Sequence, residues 1–159
     1  MFDFAGSLRL LSRRNRSSQA AAGHDTPPRI LLVTRDDDFY LSVHGAASGR
    51  GWEMQLARSV EQSLRMLDKF EAQVVIYDWD PGGGDWRVAV DGLTARRDHP
   101  CVLLASRVVD EYLWTELVKH GGFDVIPRSA DAEQLIRSIG FACFSLRRYP
   151  SGSYFWRSG

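Results

Sequence analysis

Five times along the chain a short apolar run gives way to a longer stretch whose apolar residues recur at helical spacing. Ile30-Leu31-Leu32-Val33, Val74-Val75-Ile76-Tyr77 and Cys101-Val102-Leu103-Leu104-Ala105 are short apolar runs bounded by turn residues. Such runs read as strands buried on both faces. Trp52-Glu53-Met54-Gln55-Leu56-Ala57 alternates instead, as a half-buried strand does. Phe123-Asp124-Val125-Ile126, closed by Pro127, is the fifth strand.

Helix signals fall between these runs. One of Asp36-Asp37-Asp38 caps a first helix with Phe39, Val43 and Ala47 inward, stopped by Gly49 and Gly51. Ser59 and Gln62 form a capping box for a second, with Val60, Leu64, Met66 and Leu67 on its apolar side. Asp85 or Trp86 opens a third, running to about residue 97, with Val88 and Leu93 inward. Asp110 caps a fourth through Leu113 and Leu117, ended by Gly121-Gly122. Ser129 caps a fifth through Leu135, Ile136, Ile139 and Leu146. This alternation requires an α/β fold, a (βα)5 doubly wound parallel sheet with helices on both faces.

Composition adds limits. Twenty basic and twenty acidic residues cancel, so bulk charge points to no nucleic acid. Residues 1–28 differ from the rest: Arg9, Arg13, Arg14 and Arg16 give them a net charge of +2, and residues 29–159 carry −2. They read as a disordered extension and linker, with membrane or partner contact by an amphipathic helix over residues 1–16 as the alternative. Residues 29–146 form the domain, and residues 147–159 are a tail holding Tyr149, Tyr154, Phe155 and Trp156. Cys101 and Cys143 sit in apolar surroundings without metal spacing, which suits buried thiols in the cytoplasm.

The chemistry centres on Asp78, a carboxylate at the carboxyl end of the third strand, where open α/β sheets place their sites. A lone Asp ending strand three, Ser106 ending strand four and Arg128 after strand five resemble the response-regulator receiver domain, with its flavodoxin-like fold. The segments that carry the resemblance are Arg29-Ile30-Leu31-Leu32-Val33, Val74-Val75-Ile76-Tyr77-Asp78 with Pro81 and Asp85, Leu103-Leu104-Ala105-Ser106, and Gly121-Gly122-Phe123-Asp124-Val125-Ile126-Pro127-Arg128. The resemblance implies two-component phosphorelay signalling with no enzyme activity of its own. Asp78 is then the phosphoacceptor, Ser106 the phosphate-sensing hydroxyl, and a histidine kinase or a downstream signalling protein the partner. Homodimerisation is a further expectation. The contact face of helix four, strand five and helix five includes Tyr112, Trp114, Glu116 and Lys119.

The departures from that family fall on its chemistry. The family binds Mg²⁺ partly through an acidic pair after strand one, where this chain has Thr34 and Arg35. Asp36 comes late, so any metal site would rest on Asp36 and Asp78. Arg128 stands where the family has lysine, a planar fork in place of a point charge. Val125 replaces an aromatic residue, and Ser129 a proline. The reading is therefore a degenerate receiver working through protein contacts. With the acidic pair gone, Asp78 is expected to ion-pair with Arg35 or Arg128. An active receiver at Asp78 is the alternative, and a metal-dependent phosphatase using Asp78 and Asp80 a remote one. His24, His44, His99 and His120 lack ligand spacing, and Gly82-Gly83-Gly84 lacks the Lys-Ser/Thr of a phosphate loop.

Overall fold

The computed structural model describes residues 26–80 and 83–148. The extension before residue 26 and the tail from residue 149 lie outside the described residues. Five strands, β1 (Arg29–Val33), β2 (Glu53–Ala57), β3 (Val74–Asp78), β4 (Cys101–Ser106) and β5 (Asp124–Pro127), alternate with five helices. These are α1 (Asp37–Gly49), α2 (Val60–Leu67), α3 (Trp86–Thr94), α4 (Glu111–Lys119) and α5 (Ala132–Arg148). All strand pairings are parallel, in the order β2-β1-β3-β4-β5.

The period of two along each strand divides the core between the faces of the sheet. Ile30, Leu32, Ile76, Leu103 and Ile126 point to one face and pack under α1 and α5. Leu31, Val33, Val75, Val102, Leu104 and Val125 point to the other and pack under α2, α3 and α4. Every residue of β3 and β4 is buried, as continuous apolar runs require. A fully buried aliphatic side chain contributes about 1.5–3 kcal/mol, so these runs supply much of the stability. β2 alternates exposed and half-buried residues, as its sequence pattern predicts.

Asp36 caps α1, accepting from the Asp38 and Phe39 amides, and Ser59 caps α2, accepting from Gln62 N–H. Asp85 and Asp110 cap α3 and α4. Three local expectations need correction. α3 stops at Thr94 instead of near residue 97, where the Thr94 hydroxyl turns back onto the Val90 carbonyl. Val88 faces water at 70% exposure, because the inward stripe is Trp86, Ala89, Val90 and Leu93. Ser129 does not cap α5. The cap is Asp131, whose carboxylate accepts from Gln134 N–H while the Gln134 side chain accepts from Asp131 N–H.

The chain runs from β1 outward to β2 and returns past β1 to β3. A crevice therefore opens at the carboxyl ends of β1 and β3, the topological switch point of such a sheet.

Candidate functional site

Register decides which side chains meet in that crevice. Val33 is paired with Tyr77, so Thr34 and Asp78, the next residues, lie side by side. Asp78 is paired with Ala105 and Ser106 with Pro127, which brings the end of β5 within reach of Asp78. The Arg128 amide donates to the Ser106 carbonyl at 3.0 Å and so fixes where the arginine leaves the sheet.

Asp78 is held from two sides. Thr34 Oγ1 donates to its Oδ2 at 2.6 Å, and Arg128 Nη2 donates to the same oxygen at 3.0 Å. Arg128 Nε lies 2.7 Å from Oδ1. The Nε–H does not point along that line, so the contact is Coulombic and neither atom has a directed hydrogen bond. Arg128 Nη2 also donates to Asp36 Oδ2 at 2.6 Å. One guanidinium thus ties together the carboxylates of Asp78 and Asp36. The pair is largely out of water, with side-chain exposures of 5% for Asp78 and 16% for Arg128. Asp36 N–H donates to Thr34 Oγ1 at 3.0 Å, so Thr34 relays the start of α1 to Asp78.

The electrostatics of two neighbours follow from this placement. The Phe39 amide, with the Asp38 amide and Arg128, holds the Asp36 carboxyl below the usual carboxylate range against some desolvation. Burial, with the nearby charges of Asp78, Asp80 and Asp85, raises the Tyr77 phenol, so it stays neutral beside the site.

Of the two arginines that sequence offers as partners for Asp78, the structure brings in Arg128. Arg35 is exposed, and its Nε donates to the Arg58 carbonyl at 3.3 Å. Ser106 is buried at the end of β4, where its hydroxyl accepts from Val108 N–H at 3.2 Å. Asp80 lies exposed beyond Trp79 and, with Arg35, Arg58, Arg107 and Asp78, lines an open cavity of about 520 Å³. Among the described residues, no group of three or more His, Cys, Asp or Glu is placed to hold a metal ion. The double role of Asp36, as helix cap and second partner of Arg128, is not legible from spacing, because that contact joins residues 92 apart.

The five-stranded order and the position of Asp78 define a receiver fold, and comparison with solved structures bears this out. A response regulator from Thermotoga maritima superposes with a TM-score of 0.70 at 19% identity, over 76% of this chain and all of that one. The chemotaxis response regulator CheY4 of Vibrio cholerae matches with a TM-score of 0.67 at 15% identity, over 74% and 99%. NtrX from Brucella abortus matches with a TM-score of 0.70 at 22% identity, over 79% of this chain and 29% of that one. Among curated proteins, the acid tolerance regulatory protein ActR of Sinorhizobium medicae (strain WSM419) is 22% identical over 114 residues. That match covers 71% of this chain and 59% of ActR. No family model matches. The chain therefore has the flavodoxin-like fold of response-regulator receiver domains. Among the described residues, no helix is long and apolar enough to cross a membrane.

Proposed function

We propose that this chain is a receiver-fold interaction module of phosphorelay signalling, locked in one state by Arg128. It acts through protein contacts, without enzyme activity and without needing phosphorylation of Asp78. The observation that carries the reading is the single guanidinium bound to both Asp78 and Asp36.

A phosphoryl-accepting carboxylate needs a cation that cancels its repulsion from the incoming phosphate, and a divalent ion would supply that charge. The residues present do not fit one. Asp36 and Asp78 already share Arg128 Nη2, at 2.6 and 3.0 Å. A divalent ion between them would have to displace the guanidinium from both carboxylates or bear its like charge at close range. Thr34 offers a neutral hydroxyl that already donates to Asp78. Its partners are therefore proteins, and the face of α4, β5 and α5 is the surface we assign to them. There Tyr112 is exposed, and the Trp114 side chain hydrogen-bonds Asp124. Its compartment is the cytoplasm, where Cys101 and Cys143 stay as buried thiols.

The second reading, an active receiver, draws on Ser106 and Arg128 lying at the ends of β4 and β5 beside Asp78. Titration with Mg²⁺, followed through the amide signals of residues 34–36 and 78, separates the two. The locked reading expects no response through the millimolar range. A saturating millimolar response at Asp78 supports the active receiver.

A further inference from the structure

Away from Asp78, a cavity of about 370 Å³ opens between the loop after β3 and the start of α4. Its walls are mostly apolar, built from Trp79, Trp86, Val108, Tyr112 and Leu113. Trp79 and Trp86 meet edge to face at 6.4 Å. Trp86 is held from two further directions, by the His120 ring at 5.8 Å and by the Arg87 guanidinium 4.7 Å from its ring centre. It is 3% exposed and belongs to the core under α3, so this wall is fixed before anything binds. Val108 and Tyr112 are exposed and form the outer lip.

Two observations define the chemistry that fits. The first is an orphaned donor. The Trp79 indole N–H is buried and has no acceptor among the described residues. A buried donor without a partner is costly, and native structures leave few of them. An acceptor that enters the cavity recovers that cost. The second is charge balance. Asp85 and Asp110 line the cavity together with Arg87 and Arg107. Both carboxylates already cap helices, Asp85 accepting from Arg87 N–H and Asp110 from Leu113 N–H. Two negative and two positive groups cancel, so the rim favours neither an anion nor a cation. Size points the same way. An apolar cavity of about 150 Å³ holds a benzene ring, and small-molecule pockets begin at about 300 Å³. A two-ring molecule therefore fits.

We infer that this cavity binds a small, neutral, flat ring compound carrying a ring carbonyl or ring nitrogen. The rings pack against Trp79, Trp86 and Leu113, and the acceptor takes the Trp79 indole N–H. Ser106 also lines the cavity, but its hydroxyl is already an acceptor for Val108 N–H, so the indole is the donor that selects the ligand. A ligand seated there touches Tyr112 and so borders the face we assign to protein partners. The inference stands on the cavity, the orphaned donor and the charge balance, and does not depend on the state of Asp78.

The test titrates the full, isotope-labelled chain with two-ring probes at neutral pH. Quinoline and 1-indanone are neutral and carry an acceptor, naphthalene has none, and 2-naphthoate is charged. The expected result is a saturable downfield shift of the Trp79 indole N–H signal with quinoline and 1-indanone, accompanied by shifts in the amides of residues 106–113. Naphthalene, which leaves the donor unpaired, should bind about tenfold more weakly or worse, and 2-naphthoate more weakly than quinoline. Trp79→Phe keeps an aromatic ring and removes the donor, so quinoline should then bind no better than naphthalene, read through the Trp86 indole and the same amides. The comparison of probes on the unaltered chain stands even if that variant folds poorly. No shift at Trp79 with quinoline or 1-indanone, naphthalene binding as tightly as quinoline, tighter binding of 2-naphthoate, or shifts centred on Phe141 and Phe144 would overturn the inference.

Discussion

Arg128 and Asp78 stand fifty residues apart in sequence, yet Arg128 Nε lies 2.7 Å from Asp78 Oδ1 and Nη2 lies 3.0 Å from Oδ2. Both charges are mostly buried, and each is costly without the other. Removing one partner of a buried pair typically costs about 3–5 kcal/mol, whereas replacing both with apolar groups is often neutral. Arg128→Met should therefore destabilise the fold by about 3 kcal/mol in urea denaturation. The double variant Asp78→Leu/Arg128→Met should recover most of that loss. If Arg128→Met unfolds at the wild-type urea concentration, the pair contributes nothing.

Thr34 gives a second handle on the same carboxylate. Its hydroxyl donates to Asp78 at 2.6 Å and accepts from Asp36 N–H at 3.0 Å. Thr34→Val keeps the shape and removes both bonds. A hydrogen bond to a charged group contributes about 1.5–3 kcal/mol, so a loss of about 2 kcal/mol is expected. Thr34→Ser should restore most of it, and equal stability of the Val and Thr proteins would remove Thr34 from the site.

Two carboxylates should bend the pH dependence of stability in opposite directions. The folded-state pKa of Asp36 is lowered, first by the Phe39 amide. Its contribution is complete above the ordinary carboxylate value and is lost as pH falls through the folded value. Asp36→Asn should therefore weaken the protein at neutral pH and flatten the acid limb of its stability curve. The pKa of Asp124 is raised by burial, against hydrogen bonds from Val125 and Trp114. Ionising it costs stability as pH rises from the ordinary value to the folded one. Asp124→Asn should gain stability at neutral pH, and the gain should vanish in acid. Thermal melts between pH 3 and pH 7 distinguish these signs.

The turn after α4 offers a test remote from the site. Gly121 has φ of +83°, and a Cβ on Gly122 would clash with the Leu117 side chain. Gly121→Ala should cost about 1 kcal/mol of backbone strain. Gly122→Ala should cost more, because it displaces fully buried Leu117. Chemical denaturation of the two variants checks the order.

The strands were legible because burial on both faces leaves an unbroken apolar run, and β3 and β4 are such runs. Caps were legible where a single candidate preceded the stripe, as with Ser59 and Asp110. At α5 Ser129 alone reads as the cap from sequence. Ser129 instead lies in a turn closed by Ala130 N–H to the Pro127 carbonyl, and Asp131 takes the cap. Val88 misled because an apolar residue near a helix start need not face the core. The charge match between Asp78 and a nearby arginine was legible, but the choice of arginine was not. Arg35 and Arg128 both follow strand ends, and only folding turns Arg35 out to the Arg58 carbonyl.

The central claim is that Arg128 occupies Asp78 and keeps it from accepting a phosphoryl group. Incubation of the full chain with acetyl phosphate and Mg²⁺, followed by intact mass, tests it most directly. The expected result is an unchanged mass in both wild type and Asp78→Asn. A phosphoryl mass increment that Asp78→Asn abolishes would contradict the account.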